Sequence, residues 1–521
     1  MALNAVAFDT PAGLPLAHIP SSAQAPANVA TARYADRGYL SRTTDTPANT
    51  LYEARLLGDI EIAQSVIDAV SVGGLVSLTA SEIELWNGDD VFNALAAEGR
   101  ADGRPIRIKT VAVLDRAASD WGSPLSSAST IWTGRANRLD PQGLRARIAL
   151  SDLTDRFATP LQTTLYTGAG GLNGPAELKG RPKPVSLGYR FNVTPVYLGL
   201  ADLGLGSLPT YQTNWRAIAG HDAVRIRGVV QTQTGLAPGI GQWVDFPALG
   251  CFQLGSAPDG AVTCDVRGDA PGGAYAKSLP DIVRVMLQAL GPGLTDADLD
   301  AWTWFQIQTQ MLAEVGWGVG ADVVSADAAL ADVLASGSAW VSGSRSGQLR
   351  IARLASPQDV PDFALSEADI LTCTPQPVPS QLQPAPQVVE VRASRNWTPL
   401  DDIAGSVVDP ERAGLISEGA IERAVSSVIA ARSTRARTLT VPGLYRTAAD
   451  AQARATELQL WLERGLKVFT VETDRYLNQV ELGMTGRVTY PFYGLNAGWS
   501  GVVVGYREKI GARRVEITMI G

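Results

Sequence analysis

Short runs of alternating apolar and polar residues recur in the first third of this 521-residue chain. They occupy segments 82–85, 106–110 and 144–150. Side chains of a β-strand point to opposite faces in turn, so each run is typical of a half-buried strand. A short helix is predicted from Asp89 to Ala97. With an Ala-, Pro- and Thr-rich extended arm over residues 1–50, these patterns predict a first domain over residues 1–165, built as a small barrel or sandwich.

The alternation continues beyond residue 220 and then gives way to helical spacing. Segments separated by Gly- and Pro-containing turns predict a second β-rich domain over residues 166–275; they are 224–227, 243–246, 251–254 and 261–267. Ser278 and Asp281 have the spacing of a capping box and precede apolar residues at helical spacing. Further helices are predicted to begin at Thr295 and Ser325, followed by strands at 338–342 and 348–354. Residues 276–372 therefore predict a compact α+β domain.

A proline-rich segment marks the start of the last predicted domain, residues 373–521. Residues Thr374–Gln387 contain five prolines and no charge, which is typical of a stiff polyproline-II connector. A long helix is predicted from Thr447 to Leu462, followed by strands at 468–472, 485–490, 500–506 and 515–520. The predicted fold class is mainly β with α+β, divided among several domains.

Composition agrees with a globular, turn-rich, mainly β chain. Charged residues make up 18% and apolar residues 45%, with 52 glycines and 31 prolines. The formal net charge of -8 argues against tight binding of free nucleic acid, whose phosphates need basic partners. An acidic lining would still let DNA slide past without sticking.

The three cysteines show no paired spacing that would indicate a metal site or a disulfide framework. We expect Cys251, Cys264 and Cys373 to be buried free thiols, although Cys251 and Cys264 could face each other across a hairpin. Assembly in a reducing cytosol follows from this interpretation. The N-terminal segment has no pattern of a signal peptide, and no uncharged run is of the kind that spans a bilayer.

The residue types needed for catalysis are sparse, and we predict no catalytic residue, no cofactor and no metal site. The two histidines are His18, in the extended arm, and His221, which is predicted to lie in a turn before a strand. His221 and Asp222 could orient an imidazole, but the sequence assigns no nucleophile to them. No zinc-protease, nucleophile-elbow or phosphate-loop motif is present in the sequence.

Two other groups of residues have both a chemical and a structural interpretation. Paired carboxylates can cleave glycosidic bonds when they face each other across a cleft. Here Asp89-Asp90, Asp298/Asp300 and Asp401-Asp402 are predicted to be helix caps or solvated edges. Aromatic clusters can stack on sugars, but at the observed spacing we predict that Trp302, Trp304, Phe305, Trp317 and Trp340 fill the core of the α+β domain.

A Gly-rich loop and a Pro-flanked basic segment follow Tyr166. Gly168, Gly170, Gly171 and Gly174 are followed by Lys179-Gly-Arg-Pro-Lys-Pro184. Three interpretations are open. A phosphate loop is disfavoured because the prolines prevent a helix from following. A minor-groove DNA hook is disfavoured by the acidic chain. A structured connection, stiffened by proline and solubilised by lysine, is favoured.

The long loop, the segment LKGRPKP and a strand ending in Phe191-Asn192-Val193 together resemble a family of bacteriophage and prophage tail proteins, the baseplate or tail-tip hub. The resemblance extends to Asp45–Arg55, Gly250–Arg267, Arg395–Asp402 and Glu481–Pro491. It implies two small β-barrel domains similar to those of tail tubes, in the first and last regions, with a β-rich and an α+β domain between them. A homotrimeric, pseudo-sixfold ring is also implied.

The family resemblance further implies a set of partners and a location. These are the distal tail protein or tail tube ring, a central fibre or spike, the tape-measure protein, and genome DNA passing through the lumen without specific binding. The location is the tail of a virion, assembled in the cytoplasm of the bacterial host. Lys179, Arg181 and Lys183 would contact a partner ring or the nucleic acid. Two alternatives are a tail-associated carbohydrate-binding or hydrolytic protein and a component of a secretion spike.

Overall fold

The computed structural model describes residues 2–11, 29–66, 74–80, 82–97, 103–112, 124–433, 435 and 437–521. Within these ranges no helix is long and apolar enough to cross a membrane. The tip of the predicted arm, including His18, lies outside the described residues. The strands and helices fall into four successive regions of the chain.

The first region is a β-sheet with one short helix. Its elements are β1 (Ala2–Pro11), β2 (Val29–Ala35), β3 (Tyr39–Leu40), β4 (Leu51–Ala54), β5 (Leu56–Leu57), β6 (Glu61–Ser65), β7 (Gly74–Val76), β8 (Thr79–Ala80), β9 (Ile83–Trp86), α1 (Val91–Ala97), β10 (Pro105–Ala112), β11 (Ser129–Gln142) and β12 (Arg145–Ser151). One sheet of nine strands has the order β3-β4-β2-β1-β10-β11-β12-β9-β5. The predicted strands and the predicted helix are present in this region.

The prediction of an extended arm over residues 1–50 was wrong for β1 and β2, which are integral strands of this sheet. Strand β1 pairs antiparallel with both β10 and β2. Alternation of apolar and polar residue types is weak in this alanine-rich segment, so no local pattern predicts these strands. Backbone pairing with strands supplied from elsewhere in the chain is therefore what places the segment in the sheet.

The second region is a two-sheet sandwich. Its strands are β13 (Val185–Val193), β14 (Val196–Asp202), β15 (Ser207–Gln212), β16 (Ile218–Ile226), β17 (Val229–Val230), β18 (Thr232–Gln233), β19 (Gln242–Phe246), β20 (Cys251–Leu254) and β21 (Val262–Asp269). The order is β17-β16-β21-β13-β22 in one sheet and β14-β15-β20-β19-β18 in the other; the third region supplies β22 (Gly316–Val319). Side chains of both sheets, among them Trp243, Phe252 and Cys264, form a core of their own.

The third region is α+β, as predicted. Besides β22 it contains α2 (Leu279–Gln288), α3 (Ala301–Gln310), α4 (Ala326–Ser336), β23 (Ala339–Gly343), β24 (Leu349–Arg353) and β25 (Phe363–Leu365). Helix α2 begins at the predicted capping box, where Ser278 Oγ accepts from the Asp281 amide. It ends at Gln288.

The fourth region contains most of a second large sheet and a long helix, which packs on a small three-stranded sheet. Its elements are β26 (Ile370–Gln376), β27 (Val388–Ala393), α5 (Glu411–Ile416), β28 (Ala420–Val425), α6 (Ser427–Arg432), β29 (Thr438–Tyr445), α7 (Ala448–Glu463), β30 (Val468–Thr473), β31 (Thr485–Val488), β32 (Trp499–Lys509) and β33 (Arg514–Ile520). The sheet runs β25-β31-β32-β33-β30-β26, and β28-β27-β29 form a smaller one. The predicted helix and strands of this region are all present.

The proline-rich connector begins later than the sequence indicated. Thr374, Pro375 and Gln376 continue β26 and pair with β30. Because β26 lies at the edge of its sheet, a proline there removes no hydrogen bond that the ladder needs. Residues 377–387 contain turns and irregular backbone.

The first and last regions share a sheet. Strand β6 leaves the N-terminal sheet and pairs antiparallel with β32, with Ile62 opposite Glu508. Strand β7 pairs in parallel with β23 of the third region. The largest hydrophobic cluster accordingly includes side chains as far apart in sequence as Tyr34 and Ile520. The mainly β, multidomain fold is confirmed, and the described strands form open sheets.

The β6–β32 junction can be tested by shortening its buried side chain. Ile62 is fully buried, so Ile62→Ala should lower the free energy of unfolding by about 2–5 kcal/mol through lost burial and a residual cavity. Leu236→Ala is the control, because Leu236 is 76% exposed and should change stability by no more than about 0.5 kcal/mol. Urea unfolding followed by circular dichroism measures both, and equal midpoints for the two variants would contradict the assignment of Ile62 to the core.

Candidate functional site

The Gly-rich segment is an ordered loop closed at its base by backbone hydrogen bonds. The Tyr166 amide donates to the Arg181 carbonyl at 2.9 Å, and the Gly180 amide donates back to the Tyr166 carbonyl at 2.9 Å. Gly174 has a φ of 70°, and a Cβ there would crowd the buried Tyr166 ring at 3.1 Å. Two short 3-10 turns lie within the loop, over Gly171–Asn173 and Ala176–Leu178. The geometry is that of a structured connection, the favoured interpretation.

The three basic residues of this loop have different surroundings. Lys183 donates to the Leu172 carbonyl at 2.9 Å, and burial lowers its pKa. Arg181 pairs with Asp322 at 2.9 Å and donates through Nε to the carbonyl of Ala321. The side chain of Lys179 is exposed. Lys183 therefore lies inside the loop, Arg181 is bound to Ala321 and Asp322, and Lys179 is exposed to solvent.

The motifs that carry the family resemblance meet in space. Phe191 forms a β-bridge with Asn396, although they are about two hundred positions apart in the sequence. The Asn192 side-chain amide donates to Asn396 Oδ1 at 2.9 Å. The guanidinium of Arg190 lies 4.4 Å from the centre of the Trp397 ring, and burial lowers the pKa of Arg190 to about 9. These residues join the second region to the fourth.

His221 belongs to a strand and not to a turn, so this prediction was wrong. It lies in β16, and its Nδ1 is 2.7 Å from Asp245 Oδ1, while its Nε2 is 2.8 Å from Thr213 Oγ1. Asp222, the neighbour in sequence, points elsewhere and pairs with Arg267. A hydroxyl, an imidazole and a carboxylate in this order can activate a nucleophile. Here the histidine side chain is fully buried, so the trio ties the two sheets of the sandwich together.

The acidic pairs act as caps and ion-pair partners. Asp298 and Thr295 form the capping box of a short 3-10 turn. Asp300 is the N-cap of helix α3. Asp89 binds Arg55, whose hydrogen bond lowers the pKa of Asp89 to about 2. Asp402 binds Arg227 at 2.8 Å. Among the described residues, no two of these carboxyl groups face each other across a cleft.

The cysteines are free and buried, as predicted. Burial raises the pKa of Cys251 to about 12, so its reactive thiolate is suppressed at neutral pH. Across the described residues no group of three or more histidine, cysteine, aspartate or glutamate side chains is placed to hold a metal ion.

The aromatic cluster of the third region divides between core and surface. Trp304, Trp317 and Trp340 are buried, but Trp302 is 65% exposed and Phe305 is 60% exposed. The prediction that all of them fill the core was therefore wrong for two. On helix α3 the positions of Trp302 and Phe305 are one turn apart and share the outer face, while Trp304 lies on the inner face.

A buried charge cluster, which the sequence did not reveal, lies where three regions meet. Arg345, in the turn between β23 and β24, is 2.8 Å from Glu508 of β32, and both side chains are almost fully buried. Glu481 Oε1 accepts from the Arg345 backbone amide at 3.4 Å. The guanidinium also lies 4.8 Å from the centre of the Tyr506 ring. In sequence, Arg345 stands in a Ser- and Gly-rich turn that is typical of the surface.

The buried Glu481 gives the chain a predictable pH dependence. Burial raises the pKa of Glu481 above its ordinary value of 4.5, against the opposing charges of Arg345 and Arg350. The folded state therefore binds this proton more tightly than the unfolded state. The stability contributed by protonated Glu481 is present below pH 4.5, and it is lost as the pH rises through the pKa of Glu481 in the folded state.

Glu481→Gln should remove this loss of stability at higher pH, because glutamine does not ionise. The free energy of unfolding of the variant, relative to the original chain, should rise with pH above 4.5, by up to about 1.4 kcal/mol per pH unit. Urea unfolding at a series of pH values measures the difference. Glu418→Gln is the control, because Glu418 forms an exposed pair with Arg392. If the difference in unfolding free energy between the Glu481→Gln variant and the original chain did not change with pH, the raised pKa of Glu481 would be refuted.

Comparisons with known proteins return tail proteins. No family model matches the chain, and no curated protein matches it. Among solved structures, it is similar to the 43 kDa tail protein of prophage MuSo2 from Shewanella oneidensis, with 10% identity, a TM-score of 0.37, and coverage of 90% of this chain and 94% of that one.

Two further solved structures are similar over much of the chain. The tail protein from Neisseria meningitidis MC58 has 9% identity and a TM-score of 0.40, with 89% of this chain and 91% of that chain covered. A chain in the virion of a native gene transfer agent particle has 11% identity and a TM-score of 0.41, with 66% and 84% covered.

Proposed function

We propose that this chain is a structural protein of a phage tail, and specifically a baseplate or tail-tip hub. The observation that carries the proposal is the junction between β6 and β32. It places the first and last β-rich regions side by side in one continuous body, although they lie at opposite ends of the sequence. Three such bodies around an axis would present six β-rich units, which can seat on a sixfold ring.

The contact between the two resemblance motifs supports the same proposal. Asn192 and Asn396 are hydrogen-bonded and buried, so the sandwich is fixed to the fourth region by residues of both motifs. In a hub, the first and fourth regions would form the ring, and the second and third would project from it. We retain the division at residues 1–165, 166–275, 276–372 and 373–521 as part of the proposal.

The proposed action is mechanical and not catalytic. The one hydroxyl–imidazole–carboxylate trio found in the described part of the chain is buried, and its histidine is beyond the reach of a substrate. On host recognition, the projecting regions would shift and open the channel for the tape-measure protein and then for DNA. The acidic net charge would keep the DNA from sticking. The distal tail or tube ring and the central fibre or spike would be bound on opposite faces of the hub.

The oligomeric state tests the ring. The purified chain, alone or with its tube-ring partner, should form trimers in native mass spectrometry and three-lobed rings in negative-stain images. A trimer held by heterologous faces should bury roughly 1,200–2,000 Å² or more at each contact. If the chain stays monomeric at every concentration, and also in the presence of its tail partners, the proposal is refuted.

Lys179 tests the contact proposed for the loop. Lys179→Glu reverses an exposed charge and breaks no hydrogen bond found among the described residues, so the fold should be unchanged. Binding to the purified tube ring should weaken by roughly tenfold, as expected for a reversed charge at an interface. Lys467→Glu, on an exposed lysine of the fourth region, is the matched control. Equal affinity of the two variants would exclude Lys179 from the contact, and lost DNA delivery with intact ring binding would assign it to the lumen.

A further inference from the structure

A cleft lies beside the exposed face of α3, between the third and fourth regions. It has a volume of about 410 Å³ and is lined by Trp302, Gln306 and Gln310 of the helix and by Gly483 and Thr485 of the fourth region. This volume is within the range of roughly 300–1,000 Å³ that is usual for ligand pockets. The structure therefore provides a ligand-sized space at a place to which the mechanical role assigns nothing.

Trp302 is the aromatic residue that lines the cleft, and its exposure is unusual for a surface helix. It is 65% exposed, and its ring lies 6.4 Å from that of Phe305, which stands beside it on the helix outside the cleft, with 28° between the ring planes. An isolated helix in water gains nothing from exposing two large apolar rings on one face. Such rings are typical of sites that bind a partner with an apolar face and a polar rim.

Three glutamine amides are among the polar groups of the cleft. The side chains of Gln306, Gln310 and Gln358 line it, and none of the three amide groups makes a hydrogen bond to another described residue. Each amide offers two donors and an acceptor, which suits a ligand that is rich in hydroxyl groups. Nothing within the described fold uses this capacity.

The charges of the cleft cancel. Its charged lining residues are Arg350, Arg353, Asp362 and Glu457, two of each sign. Arg353 pairs with Glu457 at 2.8 Å, and Asp362 accepts from the Thr485 amide at 2.7 Å. A neutral ligand is favoured, since an ionic one would meet a charge of its own sign.

We propose that this cleft binds a neutral oligosaccharide, with one sugar ring stacked on Trp302 and its hydroxyl groups bound by the glutamine amides. The C–H face of a pyranose ring is apolar and its edge carries hydroxyl groups, so the two kinds of lining match the two surfaces of the ligand. The site binds and does not cleave. It goes beyond the proposed hub function and gives the third region a contact with glycans.

The test titrates the purified full-length chain with two neutral probes, chitotetraose and maltotetraose, followed by calorimetry and tryptophan fluorescence. At least one probe should bind. Trp302→Ala should weaken that binding by roughly tenfold, the order expected for a lost stacking contact. The double variant Gln306→Ala with Gln310→Ala should weaken it as well, without altering the oligomeric state.

Phe492→Ala is the matched control, because Phe492 is also an exposed aromatic residue, at 62%, and does not line the cleft. It should bind the probe as the original chain does. The proposal is overturned if neither tetrasaccharide binds or if Trp302→Ala binds equally well. It is also overturned if Trp302→Ala changes only the oligomeric state, which would assign the aromatic pair to a contact between copies of this chain.

Discussion

The backbone pairing of β6 with β32 is the constraint on which the rest of the structure depends. It adds a strand from the first region to the sheet of the last, so the sheet of the last region is not complete within its own stretch of sequence. Arg345 and Glu508 lie directly at this junction, and their pairing brings in the turn of the third region. A buried ion pair adds little net stability because both charges lose their water. It does penalise any arrangement in which one charge is buried without the other, and so it favours this one packing of the three regions.

The sandwich is attached to this body through close backbone approach as well as through side chains. Strand β13 pairs with β22, and a Cβ on Gly188 would lie 1.8 Å from the carbonyl oxygen of Val315. A Cβ on Gly316 would lie 1.7 Å from the carbonyl oxygen of Tyr189. Glycine at both positions is what permits the strands to meet. The sandwich, which has its own core, is thus held at a fixed place and not on a free linker.

Much of the local structure follows from the sequence because the signals are local. The capping box at Ser278 starts α2, and Thr447 caps the long helix α7 through the Asp450 amide. Alternation identified the strands near the C-terminus. Interpretation failed where the outcome depended on distant residues. No immediate neighbour of His221 in the sequence is its hydrogen-bond partner. Asp245 binds it only because β16 packs on β19. Trp302 and Trp304 lie two positions apart and so point to different sides of α3, and only the packing of α3 on β24 decides which side is buried.

The sequence by itself determined the mainly β character, the starts of α2, α4 and α7, the buried free cysteines and the resemblance to tail hub proteins, because each of these rests on residue types within a few positions of one another. The helix predicted at Thr295 begins later, at Ala301. The tertiary structure alone decided that the two ends of the chain share a sheet. It also brought Asn192 to Asn396 and placed Gln358 and residues of the fourth region in the cleft beside Trp302. Such contacts depend on how strands far apart in the chain choose their neighbours, and that choice is made by long-range pairing and burial, which no local pattern records.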